Sequence, residues 1–246
     1  MKKFFVPFVL IFICSCFGCT KATAQKNDKL SYNEILSLPK IRSNEPDREI
    51  FNDLHEALGF YSNESKGRSC SLVSGEVTSV KYFYEWTGDL IRGYSIAELH
   101  VNEVSKDYNS AGIKPGETKF IRQANYIGFG NEDDTFSFFS QKFNKEITCK
   151  EDLDATSSGV FELNPLKDEQ YVLHISDNQI PLGEGENYTM LVYNNDYVYN
   201  DVTCYSSLYI KPLALEPDLK SFSEQNGFIY DSDCVAIAEE IAALFE

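Results

Sequence analysis

The chain has 246 residues, with 38 acidic side chains against 22 basic ones and a formal net charge of −16. So negative a surface repels nucleic acid, whose phosphates need Lys and Arg side chains, and it also disfavours binding to anionic membranes. It is compatible with a basic partner, with cations, or with solubility alone. The length is sufficient for one well-packed core with appendages.

The N-terminus has the pattern of an export signal. A short positive region precedes the apolar stretch 4–17, and Ala22-Thr23-Ala24 offers small residues to a signal peptidase. The apolar stretch is about fourteen residues long, which is too short for a helix across a bilayer of about 30 Å. We therefore predict that residues 1–24 are a signal peptide and that the mature protein, starting at Gln25, is periplasmic or secreted.

A lipid anchor is the alternative to simple cleavage. Ile13-Cys14-Ser15-Cys16 approaches a bacterial lipoprotein signal, in which a Cys that follows two small residues is acylated. Cys16-Phe17-Gly18-Cys19 is a poorer match because Phe17 is bulky. Lipidation of Cys16 or Cys19 would tether the protein to the envelope.

Before residue 70 the pattern favours helices. Residues 25–45 form a polar lead-in with a short helix over 32–38. A second helix is expected to be capped by Asn44 or Ser43, to carry Pro46 in its first turn and to end at Gly59. Residues 25–68 are thus predicted to be a lead-in and a helix that precede the main domain.

From Cys70 the apolar period changes to two, which is typical of strands. Strands are expected over 70–85, 94–104, 118–122, 170–175, 188–193 and 198–210, the last with a bulge. A helix over 232–245 closes the chain. Because no helix of crossover length separates the strands, we predict a mainly β fold with flanking helices, built on a small antiparallel barrel. The barrel domain spans 69–215, and the extension 216–246 packs its helix on the barrel.

The four cysteines beyond the signal are Cys70, Cys149, Cys204 and Cys234. An even number in an oxidising compartment indicates two disulfides, and the sequence alone leaves their pairing open. No two of them are close in sequence, so the spacing of a zinc knuckle is missing.

The order of elements from Ser69 to about Cys234 resembles the netrin-like module, the OB-type barrel of tissue inhibitors of metalloproteinases. The resemblance rests on the following features: Cys70 before the first strand, the strand at 94–104, the turn Lys114-Pro115-Gly116-Glu117 before the third strand, Cys149 before the strand at 170–175, Cys204 in the last strand, and Cys234 in or beside the last helix. It implies bridges between Cys70 and Cys234 and between Cys149 and Cys204. Metalloproteinase inhibition is not implied, because that activity uses an N-terminal Cys and Cys70 lies well inside the chain. What remains is a binding or structural module.

Motifs for metal binding and catalysis are incomplete. His55-Glu56 begins like a zinc-protease helix, but Gly59 stands where the second His is needed. His100 and His174 could meet across a sheet, although such residues are more often ordinary surface histidines. Acidic clusters at 131–134, 194–196 and 231–233 lack the Gly and distal Glu of an EF-hand loop, which favours solvated loops. We predict no cofactor, no metal and no enzymatic activity.

Aromatic side chains offer a different hypothesis. Tyr82, Tyr84 and Trp86 could line a surface for sugars or a partner chain, and Tyr197 and Tyr199 could do the same. Strand spacing should bury about half of such residues, so the core is the favoured interpretation.

The sequence thus predicts an exported, non-catalytic module that binds a protein or a component of the cell envelope. Its charge favours a basic partner. The alternatives are a small exported hydrolase whose carboxylates the sequence does not identify, and an inhibitor or immunity-type protein whose negative surface speeds association with a basic partner.

Overall fold

The computed structural model describes residues 29–42, 49, 51–87, 90–153, 158–167, 170–214 and 218–246. The expected signal peptide with Cys16 and Cys19, and the expected cap of the second helix at Asn44 or Ser43, lie outside these residues. The structure is 43% strand and 26% helix, which confirms a mainly β fold with helices.

Nine strands and five helices are described, with short 3-10 turns at Glu64–Lys66 and Lys150–Asp152. The strands are β1 Lys40–Arg42, β2 Cys70–Thr87, β3 Leu90–Asn109, β4 Thr118–Gln123, β5 Tyr126–Gly128, β6 Ser158–Leu163, β7 Val172–Ile175, β8 Asn187–Tyr199 and β9 Val202–Pro212. The helices are α1 Tyr32–Ser37, α2 Leu54–Tyr61, α3 Glu132–Phe143, α4 Leu219–Gln225 and α5 Ser232–Ala243.

Five of the strands pair in a closed ring. Their order is β2, β3, β4, β9, β8 and back to β2, and every contact is antiparallel except the parallel one between β4 and β9. Apolar side chains fill the interior: Val73, Val77, Ala97, Leu99, Val101, Ile113, Ile121, Leu182, Tyr188, Met190, Val192 and Ile210. Such filling is typical of a small barrel, which is too narrow to hold a channel.

The first ring strand is bent by a glycine. A register shift separates Ser74 from Gly75, where β2 crosses β3. A Cβ atom at Gly75 would lie 2.4 Å from the carbonyl oxygen of His100. Only glycine permits so close an approach of two strands, and the irregular pairing lets β2 curve around the barrel.

A second, three-stranded sheet lies outside the ring. In it β7 pairs in parallel with β1 and antiparallel with β5. The strand expected over 170–175 therefore exists as β7 but is not a barrel strand, which corrects the sequence-based placement. The remaining strand, β6, pairs with Tyr82–Thr87 at the end of β2 and was not among the expected strands.

The helices differ from the prediction at both ends of α2, and neither α3 nor α4 was expected. Helix α2 begins only at Leu54, after its cap Asp53, because residues 51–53 are not helical. Gly59 does not end α2, which continues to Tyr61 because the rings of Phe60 and Tyr61 pack against Phe51 at 5.2 and 5.8 Å. The acidic cluster 131–134 is not a solvated loop but the cap and first turn of α3, where Asn131 accepts a hydrogen bond from the Asp134 amide. Acidic residues are stabilised there by the positive end of the helix.

The closing helix is confirmed. Helix α5 packs against β8 and β9, with Ile237 and Ile241 almost fully buried. Asp231 caps it by accepting a hydrogen bond from the Asp233 amide, which accounts for the acidic cluster at 231–233. No helix in the described ranges is long and apolar enough to cross a membrane.

All four cysteines from Cys70 onward are free thiols in the structure, so neither expected bridge is formed. Cys70 and Cys234 are buried in the same large apolar cluster, and their pairing stays a prediction. Burial raises the pKa of the Cys70 thiol to about 11 and that of Cys234 to about 12, which keeps both protonated.

The other expected pair is divided by the sheet. Cys204 lies in a small cluster with Phe83, whereas Cys149 follows α3, whose rings pack on Tyr84. Successive side chains of a strand point to opposite faces, so Phe83 and Tyr84 mark the two sides of β2. This bridge too is not formed in the structure, and the pairing of Cys149 with Cys204 stays a prediction.

Candidate functional site

The aromatic residues that the sequence analysis singled out in β2 do not form an open surface. Tyr82, Tyr84 and Trp86 are 7%, 3% and 2% exposed and belong to the large core. Their alternation places all three on one face of β2, where rings of α3 pack on Tyr84 and Trp86. The core interpretation is therefore confirmed for them, and a ligand surface made of these three side chains is wrong.

The second aromatic pair lies in a different setting. Tyr197 and Tyr199 are half-buried in the hairpin between β8 and β9, which turns at Asn200 and Asp201 with φ values of 50° and 62°. Consecutive positive φ angles are typical of the tight hairpin turns that Asn and Asp tolerate. Val198 and Val202 beside this turn are 57% and 47% exposed. The hairpin therefore presents aromatic and apolar side chains near its tip.

The hairpin rings pack on the outside of the barrel. The ring of Tyr199 lies 5.2 Å from that of Phe120 on β4 and 5.7 Å from that of Phe83 on β2. The ring of Tyr197 lies 5.3 Å from that of Tyr94 on β3, and their hydroxyls share a short hydrogen bond. These contacts fix the orientation of the hairpin relative to the barrel wall.

Two cations are built into the same surface. The Arg122 guanidinium lies 4.5 Å from the ring centroid of Tyr94 and 4.7 Å from that of Tyr197, a geometry in which cation and aromatic face attract. The Lys81 ammonium donates a hydrogen bond of 3.3 Å to the Tyr199 hydroxyl, and this bond raises the pKa of Lys81. We call the surface formed by the following side chains the hairpin face: Lys81, Phe120, Arg122, Tyr197, Tyr199 and Val202.

Carboxylates surround the hairpin face. The Glu162 carboxylate lies 3.9 Å from the Lys81 ammonium. The negative charge of Glu98 also raises the pKa of Lys81. Burial raises the pKa of Tyr197, and Glu85 raises it further, while Tyr94 and Arg122 lower it. Exposed Asp196 and Asp201 lie on the hairpin itself. The face thus has an aromatic centre with two cations and an acidic rim.

The histidines and the remaining acidic cluster are dispersed. His100 lies on β3 opposite Glu76, whereas His174 lies in the second sheet between Ile41 and Tyr126, so the two do not meet. In the 194–196 cluster, the side-chain oxygen of Asn194 accepts a hydrogen bond from the Ser69 amide, just before β2 begins. In the described part of the chain, no group of three or more His, Cys, Asp or Glu side chains lies close enough together to hold a metal ion.

Four members of the hairpin face were missed by sequence reasoning: Lys81, Phe120, Arg122 and Val202. Phe120 and Arg122 alternate with the buried Ile121 in the third predicted strand, so the pattern could place them on its outer side. Their contact with Tyr197 and Tyr199 arises from the parallel pairing of β4 with β9. That pairing joins strands far apart in the chain and leaves no local signal.

Comparison of the chain with protein-family models, with curated proteins and with solved structures finds no match.

Proposed function

We propose that this protein is an exported, non-catalytic binding module built on an OB-type barrel, and that its hairpin face binds a basic protein. The observation that carries the proposal is the aromatic and apolar centre of this face, ringed by carboxylates, on a chain of net charge −16.

The OB-type assignment draws on the order of strands in the ring. We number the ring strands one to five in chain order. Strand one (β2) then pairs with strands two (β3) and four (β8), and strand three (β4) pairs in parallel with strand five (β9). An OB-type barrel is a five-stranded Greek-key barrel that uses the face of its second and third strands and the adjoining loops for binding. On this assignment, the hairpin face corresponds to that binding face. The resemblance of the sequence to the netrin-like module is consistent with this assignment.

The composition of the hairpin face suits a protein partner. Protein interfaces combine a desolvated centre with a polar rim, and Tyr and Arg are frequent among the residues that contribute most to affinity. Arg122 already packs on Tyr197, and Tyr199 packs on Phe120, so little conformational entropy would be lost on binding. Val202 adds exposed apolar area beside them.

The charge selects the kind of partner. Carboxylates at the rim, together with the net negative charge, attract a basic protein and raise its association rate at low ionic strength. An inhibitor or immunity-type protein for a basic exported partner would use the same face in the same way.

The proposal is tested by capture from the native envelope fraction on immobilised mature protein. The wild type is compared with Tyr199→Ala, Phe120→Ala and the control Tyr108→Ala, which truncates a 38% exposed tyrosine near the other end of β3. Captured partners are identified by mass spectrometry, and their affinities are then measured with purified components.

We expect a basic partner whose dissociation constant rises about ten-fold or more for Tyr199→Ala and Phe120→Ala. The control variant should stay within about two-fold, and the association rate should fall with salt. A partner that binds all four proteins equally, or whose association is insensitive to salt, would refute the proposal.

A further inference from the structure

A cavity lies away from the hairpin face. It has a volume of about 280 Å³ and opens between the second sheet, β3 and the start of α3. Its apolar walls come from Ile41, Tyr84, Ile91, Tyr126, Phe129 and Phe136. We call it the aromatic pocket. Its volume lies just below the usual range for small-molecule sites, about 300–1,000 Å³, which fits a ligand of one or two rings.

Glycines make room for the rings of this pocket. Tyr126 stacks on the His174 imidazole at 4.3 Å with an interplanar angle of 1°, and a Cβ at Gly93 would lie 1.9 Å from the Tyr126 ring. A Cβ at Gly128 would lie 2.4 Å from the Tyr84 hydroxyl oxygen. The walls are therefore held by close packing and are formed before any ligand arrives.

Hydrogen-bonding groups line the opposite side. The Glu132 carboxylate lies 3.5 Å from the Lys150 ammonium, and these side chains are 73% and 49% exposed. Asn131 and Thr135 complete this side. Both charges are therefore at the mouth, where each can still bond to a ligand.

Two further polar groups have defined roles. The Tyr84 hydroxyl accepts a 3.0 Å hydrogen bond from the Phe129 amide, and burial raises the pKa of Tyr84 to about 12. The His174 Nε2–H donates to the Phe129 carbonyl at 3.2 Å, which leaves Nδ1 as an acceptor. Burial lowers the pKa of His174, against the opposing effect of this hydrogen bond, so the ring is neutral at pH 7.

The charges that line the pocket cancel. One carboxylate balances one ammonium, and the imidazole and phenol are neutral, so a ligand with net charge gains little from the pocket. A purely apolar ring would cover the polar side without replacing its hydrogen bonds to water, which is costly. The pocket is matched by a neutral ring with an apolar face and hydroxyls around its edge.

We propose that the aromatic pocket binds a neutral sugar ring. The C–H face of the sugar packs against the aromatic and aliphatic walls, and its hydroxyls bond to Glu132, Lys150 and Thr135. Adjacent hydroxyls donate to the carboxylate and accept from the ammonium, so the ion pair at the mouth serves both functions of a sugar hydroxyl. This site is independent of the proposed protein-binding face.

The test uses calorimetric titration of the mature protein with cellobiose and with the β-1,4-linked disaccharide of N-acetylglucosamine. Glu132→Gln is compared with Asp133→Asn, the matched control. Both changes remove one negative charge from the first turn of α3, but Asp133 does not line the pocket. Thr135→Val is a second variant, which removes a hydroxyl at nearly constant volume. Thermal unfolding of each variant checks that it is folded.

We expect saturable binding of at least one disaccharide, with affinity reduced about ten-fold or more by Glu132→Gln and measurably by Thr135→Val. Asp133→Asn should bind like the wild type. The proposal is overturned if neither sugar binds, if the two acidic variants lose affinity equally, or if indole binds the wild type and the sugars do not.

Discussion

Gly93 and Gly128 lie where a side chain would collide with an aromatic ring. A Cβ at Gly93 would enter the Tyr126 ring, and one at Gly128 would meet the Tyr84 hydroxyl. Both glycines adjoin the aromatic pocket, where the rings are packed on two sides and have little room to shift. At these positions the absence of a side chain determines where the aromatic rings can lie.

We expect Gly93→Ala to lower the free energy of unfolding by about 1–3 kcal/mol, because the added methyl displaces the Tyr126 ring. The control is Gly59→Ala in α2, where a Cβ would meet nothing within 4 Å. Alanine is the better helix former, so this change should raise the free energy of unfolding by about 0.5–1 kcal/mol. Urea unfolding of the two variants measures both effects. Equal stability of Gly93→Ala and wild type would contradict the described packing.

At the scale of single elements, the start of α1 shows how a short helix is held. Ser31 and Glu34 form a reciprocal capping box, and the Lys167 ammonium lies 2.9 Å from the Glu34 carboxylate. The hydrogen bonds from Ser31, with the Lys167 interaction adding to them, lower the pKa of Glu34 from 4.5 to about 2. The charged carboxylate is thus the form that stabilises the helix start.

This cap predicts a pH dependence. Because the pKa of Glu34 is lower in the folded than in the unfolded state, its stabilising contribution is complete above about pH 4.5 and is lost as the pH falls toward about 2. Glu34→Gln should therefore be less stable than wild type in urea at about pH 6, and the difference should shrink toward about pH 2. Glu146→Gln, on an exposed acid, is the control. A difference that stays constant over this range would contradict the assigned role of Glu34.

The elements also show how far the sequence could predict the structure. Period-two alternation predicted β2, β3 and β4 because each strand has a filled barrel interior on one side. It missed α3, since Phe136, Phe138, Phe139 and Phe143 follow an acidic run that resembles a loop. Strand β7 was predicted, but its membership of a second sheet depends on pairing with β1, more than a hundred residues away.

The candidate site was predictable only in part. Tyr197 and Tyr199 could be singled out as aromatic strand residues near a turn. The sequence does not tell which pair stays accessible, Tyr197 and Tyr199 or Tyr82 and Tyr84. Accessibility depends on which face of each strand the helices cover, and packing across the whole fold determines that. The aromatic pocket has the same origin, because its walls come from four separate parts of the chain.

At the scale of the whole molecule, two surfaces of different chemistry lie on opposite sides of β2. The hairpin face surrounds Phe83, and the aromatic pocket surrounds the neighbouring Tyr84. Acidic side chains give the whole surface its negative charge, while the cations of the hairpin face are held by aromatic rings. A module of this kind could hold a basic protein and a neutral sugar at the same time, since the two sites share no side chain.

The central claim is that the hairpin face contacts the partner. Hydrogen–deuterium exchange of the mature protein, with and without the purified captured protein, tests it most directly. We predict slower amide exchange in the complex for the β8–β9 turn around residues 196–203 and for the adjoining edge of β4, with α3 unchanged. Protection confined to α3 or to the second sheet, with exchange in the hairpin unaltered, would contradict the account.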